Sequence, residues 1–207
     1  MMKKKNLPLF SFCLLLAFIF LTVLVHFNYF KAFDLTTIIF LQNLLPRSLD
    51  IPFSAFSLIG SAEIAFLIIL ILWYLYKKLN YIYVLIFFAI FHVIELLGKV
   101  FVNHPGPDSK FFRYDIPFVF PTSSVKPGSS FPSGHLGRTF FVSVIIFYII
   151  SRLKIKKERK YLIYSLIFIF DFIMFISRIY LGEHWLSDVL GGSLLGASFA
   201  IFSLIFI

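Results

Sequence analysis

Lipid is the solvent that the apolar runs of this chain require. Positions 9–27, 56–76, 79–97, 135–151, 161–177 and 189–207 are long and nearly uncharged. A helix needs about 20 apolar residues to cross a bilayer. Backbone N–H and C=O groups find no water there, so each run must close its own hydrogen bonds as a helix. The spacing therefore predicts an all-α, polytopic membrane protein with six transmembrane helices. Of the 207 residues, 60% are hydrophobic and 14% are charged, against about half and about a quarter in ordinary soluble domains. A mean hydropathy of +0.94 is more apolar surface than a soluble core of this length can hide. Length, with no internal repeat and no low-complexity linker, predicts one domain over 1–207.

The net charge of +9 is read as membrane topology, and nucleic acid is excluded as a partner. Basic residues accumulate in cytoplasmic loops. Lys3, Lys4 and Lys5 precede the first run, and Lys77 and Lys78 join the second to the third. Arg152, Lys154, Lys156, Lys157, Arg159 and Lys160 join the fourth to the fifth. Six spans put these places on one side, which predicts that both termini are cytoplasmic. The other side receives 28–55, 101–133 and the turn near Leu181. A basic start before an apolar run also resembles a secretory signal, but no clear cleavage site follows, so an uncleaved first span is expected. The apolar stretch 35–45 is too short to span and stops at Pro46, so it is expected along the interface or over the bundle. The lone Cys13 allows no intrachain disulfide and no cysteine-based metal site.

Three segments at the outer face carry residues suited to phosphate chemistry. In 177–188, His184 and Asp188 are four apart and share a helical face if the sixth helix starts this early. A carboxylate behind an imidazole fixes its tautomer, which makes the imidazole a usable nucleophile. Arg178 adds a planar fork suited to phosphate oxygens. The plainer alternative is that Asp188 only caps the sixth helix. In 131–138, Pro132, Ser133 and Gly134 stand where the fourth span begins. Ser133 is a good N-cap residue, helix-start amides bind anions, and Gly134 lets a phosphate approach the backbone. His135 follows, placed to give a proton to a leaving oxygen. In 98–107, Lys99 either snorkels to the interface or holds phosphate as a point charge. Glu95 lies one turn earlier and can pair with it. Glu63, Glu95 and Asp171 lie within spans and are expected in supporting or packing roles. His26 and His92 are read as structural residues inside spans.

With these residues in view, the chain resembles the type 2 phosphatidic acid phosphatase (PAP2) superfamily, which also includes glucose-6-phosphatase and the vanadium haloperoxidases. That family's signature is K-x6-R-P, then P-S-G-H, then S-R-x5-H-x3-D. Pro132, Ser133, Gly134 and His135 meet the second part, and Ser177, Arg178, His184 and Asp188 meet the third with both intervals correct. The likeness runs from about Leu58 to the C-terminus. The first part departs from the pattern: Lys99 and Pro107 are in place, but Gly106 occupies the arginine position, and His104 stands at a further basic position two residues earlier. A lost charged hydrogen bond to phosphate costs about 1.5–3 kcal/mol. His104, Lys110, Arg113, Lys126 and Arg138 are the candidates to replace it. Arg138 is preferred, because it lies about one turn beyond His135.

The resemblance implies a PAP2-like helical bundle with its motifs within 95–190. It implies a metal-independent phosphatase without a cofactor, in which His184 carries a phosphohistidine, Asp188 orients it and His135 protonates the leaving group. Lys99, Ser133, Gly134 and Arg178, with Arg138 and His104 in addition, would hold the phosphate. The implied partners are a lipid phosphate and the bilayer, in a bacterial cell membrane, with undecaprenyl diphosphate first among substrates, then phosphatidylglycerophosphate or phosphatidic acid. The aromatic loop residues Phe111, Phe112, Tyr114, Phe118 and Phe120 would grip a chain or sit at the headgroups. Two other classes compete. One is a weakly active or silent lipid-phosphate-binding protein, motivated by Gly106. The other is a small transporter built around Glu63, Glu95 and Asp171.

Overall fold

A computed structural model describes residues 6–124 and 128–206. Lys3, Lys4, Lys5 and Lys126 lie outside the described residues. The helices follow in the order α1 (Leu7–His26), α2 (Lys31–Leu44), α3 (Asp50–Ser57), α4 (Ala62–Leu75) and α5 (Tyr81–Phe101). After a long loop come a short α6 (Pro121–Ser124), then α7 (Gly134–Arg152), α8 (Lys157–Tyr180) and α9 (Leu186–Ile205). Five of these, α1, α5, α7, α8 and α9, are each long and apolar enough to cross a membrane. They coincide with five of the six runs expected from sequence.

The remaining run is not one straight helix. Arg47–Gly60 and Ala62–Leu75 form a pair bent by 54° that is long and apolar enough to span only when its two halves are taken together. The 14 residues of α4 rise only about 21 Å, short of a hydrocarbon core of about 30 Å. The break falls at Gly60, and Ser61 restarts the helix by accepting the Ile64 N–H on its side chain at 3.3 Å. Breaking a helix in lipid strands carbonyls that need other partners. Here the Gly60 carbonyl accepts from Arg138 Nε at 2.9 Å, so the kink places an acceptor under a buried cation.

α7 and α9 are the inner helices, with 61% and 67% of their spanning windows buried, against 22% for each of α1, α5 and α8. Small residues let these two backbones meet, as is common where helices pack in lipid. A Cβ on Gly196 would collide with the Gly137 carbonyl, and one on Gly192 with the Ser133 carbonyl. Asp171 ties α8 to α7 by accepting from Ser143 at 2.7 Å. α1 packs along α9, burying Phe18, Leu21 and Val25, while Cys13 is exposed.

α2 does not span. Its buried residues Asp34, Ile38 and Leu41 fall on one face that packs against α8 and α9, while Phe33, Phe40 and Leu44 face outward. Gln42 fixes the helix by donating to the carbonyls of Phe111 at 2.7 Å and Tyr180 at 2.8 Å. The α4–α5 and α7–α8 joins, with their basic residues, lie at one end of the bundle, and the starts of α7 and α9 lie at the other.

Gly196→Leu tests the helix contact. Overpacking of this kind costs roughly 1–3 kcal/mol, so the thermal midpoint in detergent should fall by several degrees. Gly128→Ala, where a Cβ meets nothing within 4 Å, should leave it unchanged.

Candidate active site

Three helix ends and one turn converge on a cavity of about 460 Å³. Lys99 is in the last turn of α5, Gly134, His135 and Arg138 open α7, Arg178 closes α8, and Glu183 and His184 occupy the turn before α9. The walls also include Gly106 and Pro107 from the long loop. Topology thus brings Lys99, His135, Arg178 and His184 to one space. The first-turn amides of α7 have no acceptor within their own helix, and they open onto this cavity at Gly134 and His135.

His184 and Asp188 are paired, but not as two residues on one helix. α9 begins at Leu186, so His184 lies in the preceding turn. Asp188 Oδ2 accepts the Trp185 N–H at 2.8 Å and lies 3.4 Å from His184 Nδ1. The carboxylate therefore caps the helix and faces the imidazole at once, so the two sequence readings of Asp188 hold together. Burial, then the charges of Arg178 and Lys99, holds His184 well below the usual histidine range. The ring is neutral at pH 7, as a nitrogen nucleophile must be.

The cations in the cavity wall are paired with carboxylates. Glu95 accepts from Lys99 Nζ at 2.7 Å, from Arg138 Nη1 at 3.3 Å, and lies 3.0 Å from His92 Nδ1. Arg138 Nη2 approaches His135 Nδ1 at 3.5 Å. A guanidinium can only donate, so in this arrangement Nδ1 is an acceptor and the ring hydrogen sits on Nε2. Arg178 forms an ion pair with Glu183. A Cβ on Gly134 would strike the Glu95 carboxylate. The missing side chain at Gly134 thus admits Glu95 as well as leaving the helix start open.

Other sequence candidates lie elsewhere. Ser133 is fully buried at the N-cap position of α7, yet its hydroxyl makes no cap bond. Its N–H donates to the Asp188 carbonyl at 2.9 Å, which ties the starts of α7 and α9 together. His104 does not line the cavity; it sits behind Asp188, with Nε2 at 3.4 Å from Oδ1. Burial holds its ring below the usual histidine range, and the Asp188 charge opposes that shift. Lys110 is exposed beside Asp108, and Arg113 lies over the Tyr180 ring. Of the described candidates for the missing arginine, Arg138 reaches the cavity, whose wall also includes Gly106. Phe112 lines it too, whereas Phe111 packs into the cluster under α2. Glu63 accepts from Thr122 at 2.7 Å. His26 lies within the first span as expected, but it is the last residue of α1, on the site's side, and accepts the Asn103 N–H at 3.3 Å. Glu183 and Asp34 carried no motif signal and were missed. Among the described residues, no three His, Cys, Asp or Glu side chains converge as metal ligands would.

The PAP2 superfamily pattern matches residues 77–207, and the chain belongs to this family. Over 68 residues it is 37% identical to phosphatidylglycerophosphatase B of Bacillus subtilis (strain 168), a match spanning 32% of this chain and 34% of that protein. The crystal structure of a transmembrane PAP2 type phosphatidylglycerolphosphate phosphatase from Bacillus subtilis superposes with a TM-score of 0.76. That superposition covers 95% of this chain and 94% of the other at 23% identity. LpxE of Aquifex aeolicus gives a TM-score of 0.62 over 83% of this chain and 94% of the other, at 25% identity. The protein is a multi-pass helical membrane protein with the PAP2 fold.

Glu95→Gln should be strongly destabilising, because it leaves Arg138 and Lys99 without their buried counter-charge. Removing one partner of a buried pair costs about 3–5 kcal/mol. Asp108→Asn, at the exposed pair, should change stability by less than about 0.5 kcal/mol. Unfolding in detergent compares the two directly.

Proposed function

We propose that this chain is a lipid phosphatase working through a phosphohistidine. The observation that carries the reading is the pairing of His184 with Asp188 on one wall of a cavity that His135 and three cations also face. In this reading His184 Nε2 attacks phosphorus and the bond to the lipid oxygen breaks. His135, which takes up a second proton once the substrate's negative charge has offset the neighbouring guanidinium, gives the departing oxygen a proton and returns to the neutral ring. Water then attacks the phosphohistidine, losing its proton to His135, and phosphate leaves. Lys99, Arg138, Arg178 and the amides at Gly134 hold the equatorial oxygens, where charge builds in the transition state. Ser133 serves as the joint beneath them. Arg138 stands in for the arginine absent at Gly106, which leaves the silent-binder reading without its motive.

Substrate follows from the surroundings. An apolar cavity of about 340 Å³ lies between α4, α7 and α8 and begins at Arg138, the residue it shares with the polar cavity. Thr139, Val142 and Ile146 carry it along α7. It suits one acyl or prenyl chain whose phosphate is held by the cations above. The names of the relatives support reading phosphatidylglycerophosphate ahead of undecaprenyl diphosphate, the first choice from sequence, with phosphatidic acid next. The basic α4–α5 and α7–α8 joins put the opposite end, with the cavity, at the outer face.

The direct test is phosphate release from these lipids by protein in detergent. His184→Ala should abolish it, and acid-labile phosphate on the chain should vanish with it. Release that persists in His184→Ala would sink the mechanism. Arg138→Ala should slow turnover by roughly 10- to 150-fold, the equivalent of one charged hydrogen bond. Val142→Trp should slow turnover of long-chain lipids at least tenfold and spare a short-chain soluble phosphomonoester; equal effects on both would remove the chain from that groove.

A further inference from the structure

Behind the cavity lies a second set of buried polar side chains that the proposed chemistry does not use. Asp34, on the non-spanning α2, is 1% exposed. Its Oδ1 accepts the Ser187 N–H and its Oδ2 accepts the Ser187 hydroxyl, both at 2.8 Å. Burial pushes the Asp34 carboxyl up to about 6 against the pull of these two bonds, so at neutral pH it is ionised and can only accept.

A hydroxyl has one hydrogen. With that hydrogen given to Asp34, Ser187 Oγ can only accept from His104 Nε2, 3.2 Å away. Nε2 therefore carries the ring's one hydrogen, directed at Ser187 Oγ, and Asp188 Oδ1 lies 3.4 Å from the same nitrogen with no hydrogen bond of its own. The backbone around His104 is held as well, since its carbonyl accepts from Ser129 Oγ at 3.0 Å and Ser130 Oγ at 3.1 Å. Asp188 Oδ2 is left for Trp185 N–H and His184 Nδ1.

We infer that Asp34 is a positioning residue: through Ser187 it fixes the tautomer of His104, which turns an N–H rather than a lone pair toward the buried Asp188 carboxylate behind His184. The inference rests on the reading of His184 as the nucleophile. It gives His104, at the departure from the family's first motif, a place behind the carboxylate rather than on phosphate. It also gives α2 a reason to carry a buried acid. A plainer role would be to cap α9 alone, since Ser187 N–H is in that helix's first turn.

Asp34→Asn, Ser187→Ala and the double variant separate the two roles. Each single variant should lower kcat on the lipid phosphate by about tenfold to a hundredfold, the scale found when a metal-bound imidazole loses its outer partner. KM and the thermal midpoint should stay near the wild-type values. The double variant should be no slower than the slower single variant, because both cut one chain of hydrogen bonds. Nitrogen-15 NMR of the histidine side chains in micelles reads the tautomer without turnover. His104 should carry its hydrogen on Nε2 in the wild type and become a mixture in Asp34→Asn. Wild-type kcat in the single variants, multiplied losses in the double with a matching fall in midpoint, or an unchanged His104 tautomer would each overturn the inference. A wild-type protein that releases no phosphate defeats the enzyme reading instead, and the NMR comparison still decides this one.

Discussion

The contact between α7 and α9 is the constraint on which the rest of the structure depends. It brings the helix that starts at Gly134 against the helix that starts at Leu186, and the Ser133 N–H to Asp188 carbonyl bond of 2.9 Å locks their ends together. Lipid supplies no hydrophobic drive between helices, so backbone approach and hydrogen bonds must do it. The glycines at 137, 192 and 196 make the approach possible. Both histidines are then carried by the most buried part of the bundle, where geometry is hardest to deform.

Charge is arranged around that joint so that each cation among the described residues of the wall has a carboxylate partner. Glu95 gathers Lys99 and Arg138, Glu183 holds Arg178, and the break at Gly60 gives Arg138 a carbonyl as well. Unpaired, these cations would repel one another in a poorly solvated space. Paired, they stay within reach of the cavity. Glu95 is deep and serves two cations and His92. Glu183 is nearer the rim, with 22% of its side chain exposed. Sites that act on phosphate gain most from cations already in place.

Much of this was legible before any coordinates. Pro132 to His135 and Arg178 to Asp188 are short motifs whose spacing survives in the fold, and the apolar runs located five spans to within a few residues. The sixth run was legible as a span but not as a bent one, because a single Gly–Ser step between two apolar stretches does not show which way a helix turns. The one-turn offset of Arg138 from His135 was legible, and the fold does bring its side chain to the cavity. His104 was not placed correctly, since a basic residue in a phosphate motif looks the same whether it faces the phosphate or the carboxylate behind it. Asp34 and Glu183 left no trace in any periodicity.

The sequence by itself determined that the chain is a helical membrane protein, that its motif residues lie at one end, and that His184 and His135 belong to PAP2 motifs. These follow from local rules: helix length against bilayer thickness, charge in loops, and fixed intervals. Only the tertiary structure decided that Asp188 meets His184 across a helix start and that Arg138 and Gly106 line one cavity. The same is true of the place of His104 and Asp34 behind Asp188. Each depends on the direction of a side chain between elements far apart in the chain, and that direction is set by packing, which no local rule encodes.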